Sequence, residues 1–99
     1  MRRGTTPTLT FNISADGTLI KTLYITFKQL GDIVFEKTKN DCKVESDKII
    51  CELSQKETLK FKDKKDIQMQ IRAVMDDDTA IASNIMTTRI GEILKEGEI

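Results

Sequence analysis

Ninety-nine residues, with sixteen Lys plus Arg against sixteen Asp plus Glu and no histidine, fit one domain, 1–99, whose single core buries about 60–70% of the unfolded chain's surface. Zero formal charge argues against a cationic nucleic-acid binder and against a protein held to anionic membrane by bulk charge, so protein partners are expected. No run of about 18 apolar residues offers a membrane-spanning helix, and the opening Met1-Arg2-Arg3-Gly4 lacks the apolar stretch of a signal peptide, so the chain is expected to be made and kept in the cytoplasm.

Residues 1–8 are polar, with Arg2, Arg3, Gly4 and the only proline, Pro7. They predict a flexible N-terminal arm that gains order on a partner. Leu9, Phe11 and Ile13 alternate with polar residues as a first strand, ending at the turn signal Ser14-Ala15-Asp16-Gly17. Leu19 to Thr22 has no clear alternation and reads as a short turn. Leu23, Ile25 and Phe27 alternate with Tyr24, Thr26 and Lys28, and Gly31-Asp32 turns the chain into Ile33 to Lys37 as the second arm of a hairpin.

Cys42 to Leu53 folds as a hairpin about Ser46-Asp47, which pairs Val44 with Ile49 and Cys42 with Cys51. Slipping this register by one residue would bury Lys43, Glu45, Lys48 and Glu52. Ser54-Gln55-Lys56-Glu57 fits a capping box that starts a short helical turn ending near Phe61, with Leu53 placed to close a hydrophobic staple. The charged run Lys60 to Asp66 crosses between sheet edges. Ile67, Met69, Ile71, Ala73 and Met75 then share one face and Gln68, Gln70 and Arg72 the other, the period-2 pattern of a half-buried central strand. Asp76-Asp77-Asp78 is a hairpin tip, and Thr79 to Thr88 returns as one antiparallel strand. Its register has two solutions: Ile81, Ser83, Ile85 and Thr87 inward, or Ala80, Ala82, Asn84 and Met86 inward. The first is favoured because it buries two isoleucines. Gly91 to Ile99 is a C-terminal tail with Ile93, Leu94 and Ile99 as apolar points.

Short strands separated by turn signals, with one helical turn between two of them, predict a small immunoglobulin-like antiparallel β-sandwich, all-β in class. An α+β roll is the alternative. Tryptophan is absent, and Cys42 and Cys51 are too close in sequence for the inter-sheet bridge of an antibody domain.

The residues offer little chemistry. Without histidine no Ser-His or Cys-His pair can form. Cys42 and Cys51, on the apolar face of a hairpin, read as reduced core residues. The Asp76 to Asp78 tip lacks the spaced oxygen ligands and closing Glu of an EF-hand loop. The lysines at 60, 62, 64 and 65 are interleaved with Asp63 and Asp66 and have no aromatic stacking platform, as befits a solvated crossover. The expectation is therefore no catalytic, cofactor-binding or metal site, and no small-molecule substrate, nucleic acid or membrane as partner.

Arg2-Arg3-Gly4-Thr5-Thr6-Pro7-Thr8, Tyr24-Ile25-Thr26-Phe27-Lys28-Gln29, Leu53-Ser54-Gln55-Lys56-Glu57-Thr58-Leu59 and Ala82-Ser83-Asn84-Ile85 together resemble small proteins encoded in the structural-gene regions of tailed phages and prophages of Gram-positive bacteria. More loosely, the chain is similar to the immunoglobulin-like N-terminal domain of phage baseplate upper proteins, although it is expected to lack their stalk and receptor-binding domain. The resemblance implies a non-enzymatic virion, tail or baseplate component assembled in the host cytoplasm, bound to other phage structural proteins or to copies of itself. Arg2, Arg3, Pro7, Ile93, Leu94 and Ile99 are the candidate partner contacts. A cytoplasmic regulatory or inhibitor domain with one protein partner is the alternative function, and a hydrolase of unassigned type a more distant one.

Overall fold

In the strand Asp66–Met75 the odd positions Ile67, Met69, Ile71 and Ala73 are buried, while Gln68 and Arg72 are exposed. The alternation fixes this strand as the centre of the larger of two sheets. A computed structural model describes residues 1–99, with β1 Thr8–Asn12, β2 Ile20–Gln29, β3 Asp32–Thr38, β4 Lys43–Val44, β5 Lys48–Glu52, α1 Gln55–Thr58, β6 Asp66–Met75, β7 Ala80–Ala82 and β8 Met86–Arg89. Three strands form one sheet in the order β1-β5-β4, and five form the other in the order β3-β2-β6-β7, with β8 also paired to β6. All pairs between these strands are antiparallel.

The result is an all-β sandwich. Phe11, Ile49, Cys51 and Leu53 line the inner face of the small sheet, and Leu23, Ile25, Phe27, Ile67, Met69, Ile71 and Ala73 that of the large one, in a single buried cluster with Phe61 and Ile90. Each buried Leu, Ile, Phe or Met among them contributes roughly 1.5–3 kcal/mol of transfer free energy. An antibody constant domain divides its strands as A-B-E-D over C-F-G; here the second strand instead lies between the third and the sixth. The two-residue turn Leu30-Gly31 is the local cause, because it makes β2 and β3 direct hairpin neighbours. Both turn residues have positive φ, 54° and 84°, the type I′ geometry whose twist matches the flanking strands. The turn therefore sits one residue earlier than the expected Gly31-Asp32.

Between β1 and β2 the chain crosses the tip of the β4–β5 hairpin through a 3-10 turn, Gly17–Leu19. Gly17 N–H donates to the Ser46 carbonyl at 2.9 Å. A Cβ at Gly17 would stand 1.9 Å from the Glu45 carbonyl oxygen, so only glycine fits this approach.

The hairpin of β4 and β5 keeps the predicted register, with Val44 opposite Ile49 and Glu45 N–H donating to the Lys48 carbonyl at 2.8 Å. The capping box is also present: Glu57 N–H donates to Ser54 Oγ at 3.1 Å, and Ser54 N–H donates to Glu57 Oε1 at 2.9 Å.

Two expectations need correction. The last strand is two strands, because the register changes by one between them: Ala73 faces Ile81, but Met69 faces Met86. Residues 83–85 form the bulge, in which Ser83 N–H donates to the Ile71 carbonyl at 2.8 Å and Ser83 Oγ accepts from Ile71 N–H at 3.0 Å. The side-chain oxygen stands in for a ladder carbonyl. Each of the two registers thus holds over half of the segment: Ile81 stands opposite the buried Ala73 but stays 38% exposed, Met86 packs against the core, and Ile85 is exposed. The second correction concerns residues 1–8, which lie docked rather than free. Arg2 forms a parallel bridge to Gly91, Leu53 N–H donates to the Pro7 carbonyl at 3.0 Å, and Thr58 Oγ1 donates to the Thr5 carbonyl at 2.8 Å. The arm has no alternating apolar face, so its order comes from polar groups that sequence periodicity does not register.

Candidate functional site

The capped turn α1 is where both ends of the chain meet. Arg3 Nε donates to the Phe61 carbonyl at 2.7 Å and Nη2 to the Leu59 carbonyl at 3.1 Å, which satisfies oxygens left open where the turn ends. Its Nη1 donates to both carboxylate oxygens of Glu96, at 2.8 and 3.0 Å. Arg2 Nη1 donates to the Glu92 carbonyl at 2.6 Å. On the other side of α1, Gln55 exchanges two hydrogen bonds with Ile99: its Nε2 donates to the Ile99 carbonyl at 3.2 Å, and Ile99 N–H donates to its Oε1 at 2.9 Å.

Ile93 packs where a Cβ on Gly4 would meet its Cδ1 at 3.1 Å. Of the six candidate contacts, Arg3 and Ile93 are therefore spent on holding the two termini together. Arg2 is engaged through one hydrogen bond, and Pro7 is half-buried. Leu94 and Ile99 are different: they stand 99% and 90% exposed, two apolar side chains held out from a braced backbone.

Beside α1 lies the most deeply covered ion pair of the molecule. Lys37 Nζ on β3 meets Glu57 Oε2 at 2.5 Å, with both side chains largely covered. Burial alone would push the Glu57 carboxyl up, but Lys37 and the Ser54 N–H outweigh it and hold the carboxyl below its ordinary 4.5. Burial likewise works to lower Lys37, yet Glu57 leaves its ammonium above the ordinary 10.5. The pair ties the edge strand of the large sheet to the turn that follows the small one.

Next to it, Cys42 and Cys51 are free thiols, Cys51 buried and Cys42 partly so. The register that sets Lys43 opposite Ile50 and Val44 opposite Ile49 brings Cys42 beside Cys51, as the predicted pairing has it. Burial pushes the Cys51 thiol up to about 12 and raises Cys42 as well. Neither provides thiolate at neutral pH, so neither is poised as a nucleophile.

The remaining acidic and basic runs are structural turns. At the tip, Asp77 Oδ1 accepts from Thr79 N–H at 3.0 Å and Asp78 pairs with Lys21. No group of three or more Cys, Asp or Glu converges as a metal-binding set. The crossover after α1 is pinned by Gln29, whose Nε2 donates to the Lys62 carbonyl at 2.7 Å and whose Oε1 accepts from Lys62 N–H at 2.6 Å. Gln29, Thr58 and Ile90 are buried residues that periodicity misses. Gln29 and Thr58 are polar in composition, and Ile90 stands alone after a strand, held by a bond from its N–H to the Lys65 carbonyl. Comparison with protein families, with curated proteins and with solved structures finds no match to this chain.

Proposed function

We propose that this chain is a non-enzymatic, virion-associated structural or assembly protein of a tailed phage, of tail or baseplate type, which works through protein–protein contacts and assembles in the host cytoplasm. The observation that carries the reading is the platform at α1, where the two termini are tied to one another and present Leu94 and Ile99 to solvent at 99% and 90% exposure. Apolar side chains held out on an anchored backbone suit an interface, since their burial is favourable and little backbone order remains to be lost on binding. The resemblance to phage structural-region proteins supplies the class of partner: other phage structural proteins.

Mass spectrometry of purified particles tests the reading. The chain is expected at a stoichiometry comparable to other tail proteins, and Leu94→Asp with Ile99→Asp is expected to remove it from particles while leaving its fold intact. Particles without the wild-type chain would refute the proposal.

A further inference from the structure

The twelve residues from Gly4 to Ala15 and the ten from Thr79 to Thr88 carry no charge, in a chain where 32% of residues are charged. These two runs supply β1, β7 and most of β8. The fold brings residues 10–15 of the first and 81–86 of the second to one side of the sandwich, where they flank a groove of about 640 Å³ whose lining, including Phe11, Ile13, Ile71, Ile81 and Met86, has no charged residue at all. β1 pairs only with β5, and β7 and β8 pair only with β6. Each therefore turns an unpaired edge to this side.

Edge strands are ordinarily guarded by charge. The other two edges follow that rule, with Asp32, Glu36 and Lys37 on β3 and Lys43 on β4. The uncharged side departs from it twice, on two sheets, around one groove.

We propose that this side is an interface between two copies of the chain, related by a two-fold axis, with the β1 edge of each facing the β7 edge of the other. A two-fold axis lays a patch against itself, so a patch bearing one dominant charge would meet its like; a neutral one meets no repulsion. Zero formal charge on the whole chain removes long-range repulsion between copies as well. All of the groove's lining except Ile71 comes from these two runs, so the patch and its two flanking edges form one continuous neutral surface. The occupant has to be an uncharged, strand-forming surface, and this chain itself carries two such edges. The inference does not rest on the phage reading, since a dimer can form with or without incorporation into particles.

Sedimentation equilibrium of the full chain provides the test. The mass is expected to rise from 11.2 kDa toward twice that value in the micromolar range. Thr10→Lys and Ala82→Lys, at exposed edge positions, should each weaken association roughly tenfold or more, whereas Ile33→Lys on β3 should leave it unchanged. Amide hydrogen exchange of the wild type, dilute against concentrated, reads the same surface without any variant: protection should grow with concentration in β1 and β7. A mass that stays at 11.2 kDa up to the solubility limit, association untouched by both lysines in folded protein, or concentration-dependent protection confined to β3 would each overturn the proposal.

Discussion

The two long sides of this sandwich are closed by different means. On the side of β3, β4 and α1, Phe27, Phe35 and Phe61 form one aromatic cluster with ring centroids 4.6, 5.3 and 6.3 Å apart, and the Lys37–Glu57 pair and capping box seal its rim. On the side of β1, β7 and β8 no segment is folded over the gap, and the core residues Phe11 and Ile71 reach the floor of a groove. A small sheet of three strands cannot cover five. The chain plugs one overhang with the crossover after α1, and on the other leaves neutral strand edges.

The largest test of this contrast is a truncation on each side. Phe61→Ala should cost about 3–5 kcal/mol, because a walled cavity replaces a ring packed against two others, whereas Ile71→Ala should fall near 2 kcal/mol, where water or neighbours can enter from the groove. Urea midpoints decide it, and equal shifts would erase the distinction between the sides.

Next in size, Cys51→Ser should cost about 1–3 kcal/mol for a hydroxyl buried in a mostly apolar environment. In native protein a thiol reagent should label Cys42 slowly and Cys51 more slowly still, since burial holds the Cys51 thiol near 12. Rapid labelling of Cys51 would show that the closed side is open.

Glu57→Gln probes the rim through pH. The folded carboxyl titrates below its ordinary 4.5, so its contribution to stability is present above that value and is lost as pH falls through the folded pKa. Lys37 titrates above 10.5, so its contribution is present below that value and is lost as pH rises through the folded pKa. The stability difference between wild type and Glu57→Gln should therefore be steady around neutrality and shrink in acid. A difference independent of pH down to the unfolding limit would remove the ion pair from the account.

The smallest effect is on the outer face of the central strand. Gln70 Nε2 donates to the Ser83 carbonyl at the bulge, at 3.0 Å, and Gln70→Ala should cost only about 0.5–1.5 kcal/mol, one net hydrogen bond.

What could be read in advance follows the physics of each segment. β6 and the β4–β5 hairpin were legible because alternation and charge allow a single register. The capping box was legible because four adjacent residues define it. The bulge was not: Ala80 to Thr88 has no charge to penalise either register, so the choice fell to a Ser83 side chain acting as a backbone acceptor. The docking of Arg3 against Leu59 and Phe61 spans more than fifty residues of sequence and leaves no local signature. Of the six terminal candidates it takes up Arg3, and it leaves Leu94 and Ile99 as the apolar ones that face solvent.

The topology also bears on how the chain folds in time. β1 finds β5, and β2 finds β6, each across some forty intervening residues, so neither sheet acquires its centre until a long loop has closed. Such closure costs entropy before any contact rewards it, and sandwiches of this kind reach the native state in roughly milliseconds to seconds. Only the hairpins β2–β3, β4–β5 and β6–β7 can form locally. The first of these begins at Leu30, a residue that resists the left-handed conformation its turn demands. Replacing Leu30 with asparagine should lower that local obstacle and quicken refolding wherever the hairpin is already formed in the transition state.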